Sequence, residues 1–107
     1  MILIFRHLFY KNFIGCTVWP FIILKSPPLK KNPILINHEK IHLAQQRELL
    51  VVLFFAIYLL EWCVKTLWYL DAYKGYRNTS FEREAYRHEQ TLSYLENRKP
   101  YHFIKYL

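Results

Sequence analysis

His38 and His42 stand four residues apart with Glu39 between them, in the stretch NHEKIH at 37–42. On a helix, side chains at i and i+4 share a face, so both rings can offer a nitrogen to one metal ion. Glu39 is turned by about 100° from His38, so it flanks the ion rather than binding it. From that position it can take a proton from a water that zinc has made acidic, with a pKa falling toward ~7. This is the logic of the His-Glu-x-x-His motif. The chain has five histidines and seven glutamates, so about 0.015 such matches are expected by chance. The competing reading is an amphipathic helix that carries two exposed histidines.

A catalytic zinc needs a third protein ligand and one open position. The downstream candidates are Asp71, Glu82, Glu84, His88, Glu89 and His102. The segment SFEREAYRHE puts Glu82 and Glu84 on a helix with the apolar stripe Phe81, Ala85, Leu92 and Leu95. Both glutamates flank that stripe, and periodicity alone does not choose between them. Thr79-x-x-Glu82 also matches a capping box, which would assign Glu82 to a helix end instead.

The elements that must hold these residues follow from the rest of the chain. A length of 107 residues is one domain. Residues 1–15 read as an N-terminal amphipathic segment, expected to be helical. They are not expected to form a cleavable signal peptide, because Arg6, His7 and Lys11 interrupt the apolar residues and no Ala-x-Ala follows. Residues 17–25, TVWPFIILK, are rich in β-formers and read as one strand; Pro20 cannot donate to a ladder, so the strand lies at an edge or has an open side. Residues 26–33 hold three prolines and read as a loop.

From Ile34 to Tyr73 there is no proline or glycine. This predicts one very long helix, or two joined by a kink, over 34–73. Gly75 and Arg77-Asn78-Thr79-Ser80 read as a break, and a last helix is expected over 80–98, ended by Pro100. The tail 101–107, YHFIKYL, is aromatic and expected to pack back on the body.

Composition narrows the partners. The net charge is +7, yet no basic run is longer than two residues, as at Lys30-Lys31, and no nucleic-acid-binding signature is present, so no nucleic acid is expected. The two cysteines, Cys16 and Cys63, do not make a disulfide framework and read as free thiols. Hydrophobic residues are 53% and aromatic ones 19%, rich for a small soluble domain. Residues 49–60, LLVVLFFAIYLL, form an uncharged run of 12 residues. A spanning helix needs ~20, so 49–64 is either a buried core helix or a point of membrane association. The expected location is membrane-associated or cytoplasmic.

His38-Glu39-x-x-His42, followed downstream by Glu82-x-x-Ala85, resembles the gluzincin zinc peptidases. It is similar to their minimal single-domain forms, the minigluzincins, and to membrane-linked gluzincin families. The resemblance covers mainly residues 17–95. It implies Glu82 as the third zinc ligand and Ala85 as the small residue that lets two helices approach. Many such families have an acid four residues after that ligand to support a motif histidine; this chain has Tyr86 there. The resemblance also implies a peptide substrate running antiparallel along the edge strand, and a tail that can cover the cleft and hold an enzyme latent.

The resulting expectation is an α+β fold, mainly α. A long motif helix packs on a C-terminal helix carrying the third ligand, with a short edge strand or small sheet before it. The expected activity is zinc-dependent hydrolysis of peptide bonds. Zn2+ is held by His38, His42 and Glu82, Glu39 is the general base, and Tyr73, Tyr76, Tyr86 and His88 are candidate oxyanion donors. Two rivals come from other classes: a membrane-associated, non-catalytic zinc-binding or scaffold protein, and a basic interaction module that binds no metal and binds nucleic acid or anionic lipid in a salt-sensitive way.

Overall fold

A computed structural model describes residues 2–5 and 13–107. The fold is α+β and mainly α: a three-stranded sheet, a long bent helix and shorter helices packed on it. Strands β1 (Ile2–Ile4), β2 (Gly15–Val18) and β3 (Phe21–Leu24) lie in the order β1-β3-β2. β1 runs parallel to β3, and β2 pairs antiparallel with it, with Cys16 opposite Ile23.

Two expectations about this region change. Residues 2–4 form a strand, because three apolar residues with β-branched isoleucines at both ends fit a place beside β3. The rest of the expected N-terminal helix, residues 6–12, lies outside the described residues. The segment 17–25 is not one strand: the chain reverses at Trp19-Pro20, and TVWPFIILK supplies the end of β2 and all of β3. Proline's fixed φ and missing N–H suit a turn, but no glycine or asparagine punctuates this apolar run, so the reversal is hidden in the sequence. Among the described residues the edge strands are β1 and β2, and neither contains a proline.

A short 3-10 turn at Pro27–Lys31 leads into α1 (Pro33–Tyr69). Asn32 starts this helix by accepting a hydrogen bond from the Leu35 N–H, with Pro33 in the first turn. At Leu50 the backbone leaves helical geometry, with φ 62° and ψ 154°. The bend there is large. Twelve residues of straight helix span about 18 Å, yet the rings of His42 and Phe54 lie 6.3 Å apart. The second half therefore folds back over the first.

The apolar extension ends at Tyr69 rather than Tyr73. Leu70 takes a left-handed conformation, and Asp71 starts α2 (Ala72–Arg77) by accepting from the N–H groups of Tyr73 and Lys74. Gly75, expected in a break, sits inside α2 where that helix touches α1. A Cβ there would lie 2.3 Å from Thr66 Oγ1 and 2.7 Å from its backbone nitrogen, so only glycine permits the approach.

The expected helix over 80–98 is two pieces, α3 (Ser80–His88) and α4 (Tyr94–Asn97). α3 stops because Asn37 reaches across from α1. Its side-chain amide donates to the carbonyls of His88, Glu89 and Thr91, satisfying groups that a helix end leaves unpaired. Beyond the stop, Tyr94 stacks on His88 at 3.9 Å.

Part of the core is a cluster of Leu49, Phe54, Phe81 and Phe103, where each buried aromatic contributes on the order of 1.5–3 kcal/mol, and Ile22, Leu24, Ile41 and Ala85 are buried besides. Phe103 belongs to the tail, which forms a 3-10 turn (His102–Tyr106) and packs on Phe81 at 4.7 Å. The tail therefore serves the core and does not cover the cavity described below, which none of its residues lines.

Candidate metal centre

Three buried side chains converge from α1 and α3. His38 Nε2 lies 3.1 Å and His42 Nε2 3.2 Å from the same oxygen, Glu82 Oε1, and the two nitrogens are 3.2 Å apart. Side-chain donors in a tetrahedral shell about 2.05 Å from a metal would be spaced by about 3.3 Å. The triangle matches that spacing, so the three residues can hold a metal ion.

The orientation of each ring is fixed from behind. His38 Nδ1 donates to Glu89 Oε2 at 3.1 Å, and His42 Nδ1 donates to Gln45 Oε1 at 2.8 Å. Both tautomers then leave the Nε2 lone pair facing the triangle. Gln45 is fully buried and anchored in turn, donating to the Phe81 carbonyl and to Glu84 Oε1. Glu82 is held through its second oxygen, which accepts from the Tyr58 hydroxyl at 2.7 Å. Thr79 starts α3 by accepting from the Glu82 N–H, yet the Glu82 carboxylate turns to the histidines instead of closing a capping box.

The other candidates separate cleanly. Glu84 is fully buried with Arg98, Tyr94 and Gln45, away from the histidines' Nε2 atoms. Glu89 supports His38, and Asp71 caps α2. His88 bonds the Tyr106 hydroxyl, and His102 packs beside them. Tyr86 lays its ring edge on His38 at 4.5 Å, but its hydroxyl pairs with Tyr76 at 3.0 Å. The support expected four residues after Glu82 thus comes seven after it, from Glu89.

Without an ion, the cluster must share protons. Burial opposes charge on His38, but hydrogen bonds to Glu82 and Glu89 outweigh it and push its pKa up to about 10. Burial would raise Glu82, but the charge of His42 and hydrogen bonds from both histidines hold its carboxyl well below the usual range.

Glu39 is buried beside this triangle and accepts from Thr17 Oγ1 at 2.8 Å. Burial raises its pKa, and the neighbouring histidines and Thr17 only partly offset that. Sequence reasoning singled out Glu39 but not Thr17, which is contributed by β2.

The four residues line a cavity of about 520 Å³ with mostly apolar walls, among them Phe55, Tyr58, Trp62, Tyr73 and Tyr76. β2 borders it through Gly15, Cys16 and Thr17. Ile14 accepts from Lys25, so by alternation Gly15 and Thr17 turn their backbone groups off the open edge. Gln46 occupies part of that edge: it donates to the Thr17 carbonyl at 2.7 Å and accepts from the Trp19 N–H at 2.6 Å. Gly15 is the position whose edge remains beside the cavity. Cys16 is a free thiol pushed up to about 11 by burial and by Glu39, so it is not a nucleophile at neutral pH.

No protein-family model matches the chain, and no curated protein or solved structure is found to be similar to it.

Proposed function

We propose that this chain is a zinc-dependent metallopeptidase of gluzincin type, hydrolysing peptide bonds. The observation that carries the reading is the equal spacing of His38 Nε2, His42 Nε2 and Glu82 Oε1 at 3.1–3.2 Å, beside a buried carboxylate in one cavity. Two nitrogens and one carboxylate oxygen are a donor set that suits zinc and leaves a fourth position open. Bound there, zinc would supply Lewis acidity toward a water and the scissile carbonyl oxygen.

The chain's own residues do the rest. Glu39, with its pKa raised by burial, accepts the proton of the attacking water and delivers it to the leaving amine. Tyr76 lines the cavity, and burial together with Glu82 raises its pKa, so its hydroxyl stays neutral and, accepting from Tyr86 in their 3.0 Å contact, can donate to a developing oxyanion. The Gly15 backbone pairs with an extended peptide, and Gln46 prevents that pairing from continuing past Thr17.

The test is metal analysis beside peptide cleavage. One zinc per chain, absent from His38→Ala and Glu82→Ala, together with cleavage that Glu39→Gln abolishes, supports the reading. Zinc binding with cleavage unchanged in Glu39→Gln, or no zinc bound at neutral pH, sinks it.

A further inference from the structure

Beyond Leu50, α1 has two faces of opposite character. One is fastened to the body: Phe54 and Tyr58 pack on Phe81 with ring centroids at 4.4 and 5.9 Å. On the same side, Glu61 accepts from both the N–H and the hydroxyl of Ser80. The other face is a stripe of Val52, Leu59, Leu60, Val64 and Leu67, continued by Trp68, all exposed and without a charge among them. From Val52 to Leu67 it runs about 22 Å along the helix. Val52, Leu67 and Trp68 are 83%, 75% and 79% exposed, far more than a folded chain leaves in one row without a use.

The net charge favours an anionic partner: the chain carries +7, and Lys74 is exposed on α2, which packs on this half of α1. The acids of this region are already engaged: Glu48 with Arg98, Glu61 with Ser80, and Asp71 at the start of α2.

We propose that this stripe seats on an anionic lipid bilayer, with the second half of α1 lying in the plane of the surface. The helix is long and apolar enough to cross a membrane. Crossing would nevertheless surround it with hydrocarbon, and its body face holds Glu61 and the Tyr58–Glu82 bond, which fasten it to α3. An in-plane helix keeps that face on the protein and gives only the stripe to lipid. A second copy is the poorer occupant, because a symmetric pair would bring together two chains of +7 each. Trp62, Trp68 and Tyr69 have the amphipathic rings that settle at headgroup depth. Phe55, Trp62 and Tyr73 are partly exposed and also line the metal cavity, so its mouth adjoins the lipid. The seating does not depend on whether the cavity cleaves peptides.

The experiment is flotation of the full chain with vesicles of pure phosphatidylcholine or of equal parts phosphatidylcholine and phosphatidylglycerol. Flotation with the anionic vesicles is expected, weakened by salt and released by an alkaline carbonate wash. The double variant Leu60→Glu/Leu67→Glu should lower binding by about tenfold or more, and pure phosphatidylcholine vesicles should carry less of the wild-type chain than the anionic ones. Both substitutions fall at exposed positions, and circular dichroism checks the fold. No flotation, or flotation untouched by Leu60→Glu/Leu67→Glu, overturns the proposal. So does retention through the carbonate wash, which marks a crossing helix, or a dimer that this variant dissolves in a chain that binds no vesicles. Metal content measured on the same samples keeps this outcome separate from that of the hydrolase reading.

Discussion

Glu89 Oε2 lies 3.1 Å from His38 Nδ1, on the ring nitrogen opposite the one that faces Glu82. A carboxylate behind a ligating imidazole fixes its tautomer and raises its basicity. Glu89→Gln should therefore keep the fold and weaken metal affinity about 10-fold to 100-fold. Gln45→Leu should do the same through His42. Competition against a chromophoric chelator measures both; affinities equal to wild type would remove these residues from the site.

Glu39→Gln separates binding from chemistry. The variant loses a proton acceptor but no metal donor, so metal content should hold while cleavage falls by about 10²-fold or more. Single-turnover rates on a fluorogenic peptide, with metal analysis of the same preparation, read the two quantities independently.

Glu82 and Glu84 should fail in different ways. Glu82→Ala removes a donor and should abolish metal binding. Glu84→Ala leaves the buried Arg98 guanidinium with Glu48 as its remaining carboxylate partner. Breaking a buried pair from one side costs about 3–5 kcal/mol. Urea denaturation should show that loss, while the protein still folded keeps its metal.

The metal-free protein should have its own pH dependence. His38 has a folded pKa raised to about 10, above an unfolded value of about 6.5. Its contribution to stability is complete below about pH 6.5 and is lost as pH rises through about 10. Chelator-treated protein should therefore lose melting temperature across that window beyond any loss in the metal-loaded form. Metal uptake should release protons in the same range. Identical melting profiles with and without chelator would contradict this.

The sequence carried the donors better than their supports. The four-residue spacing of His38 and His42 is a local rule, so it reads directly from the chain. Glu82 and Glu84 could not be separated by periodicity, because both border the stripe made by Phe81 and Ala85. What separates them is the angle at which α3 meets α1, and that angle depends on Asn37 holding the end of α3 and on Gly75 admitting α2. Glu89 and Gln45 were equally hidden. A residue that supports a histidine from behind obeys no fixed offset, since the contact crosses between elements. The hairpin at Trp19-Pro20 escaped because an unbroken apolar run masks a reversal.

The bend at Leu50 makes one stretch of chain serve as both jaws of a vice. The first jaw presents His38 and His42, and the second brings Tyr58 to the far oxygen of Glu82. α3 is the piece clamped between them. The spacing of the jaws is set at a single backbone position, where φ is 62° and an L-residue is strained. Straightening that one residue would part the two jaws, so the grip on the centre depends on a leucine that touches none of its ligands.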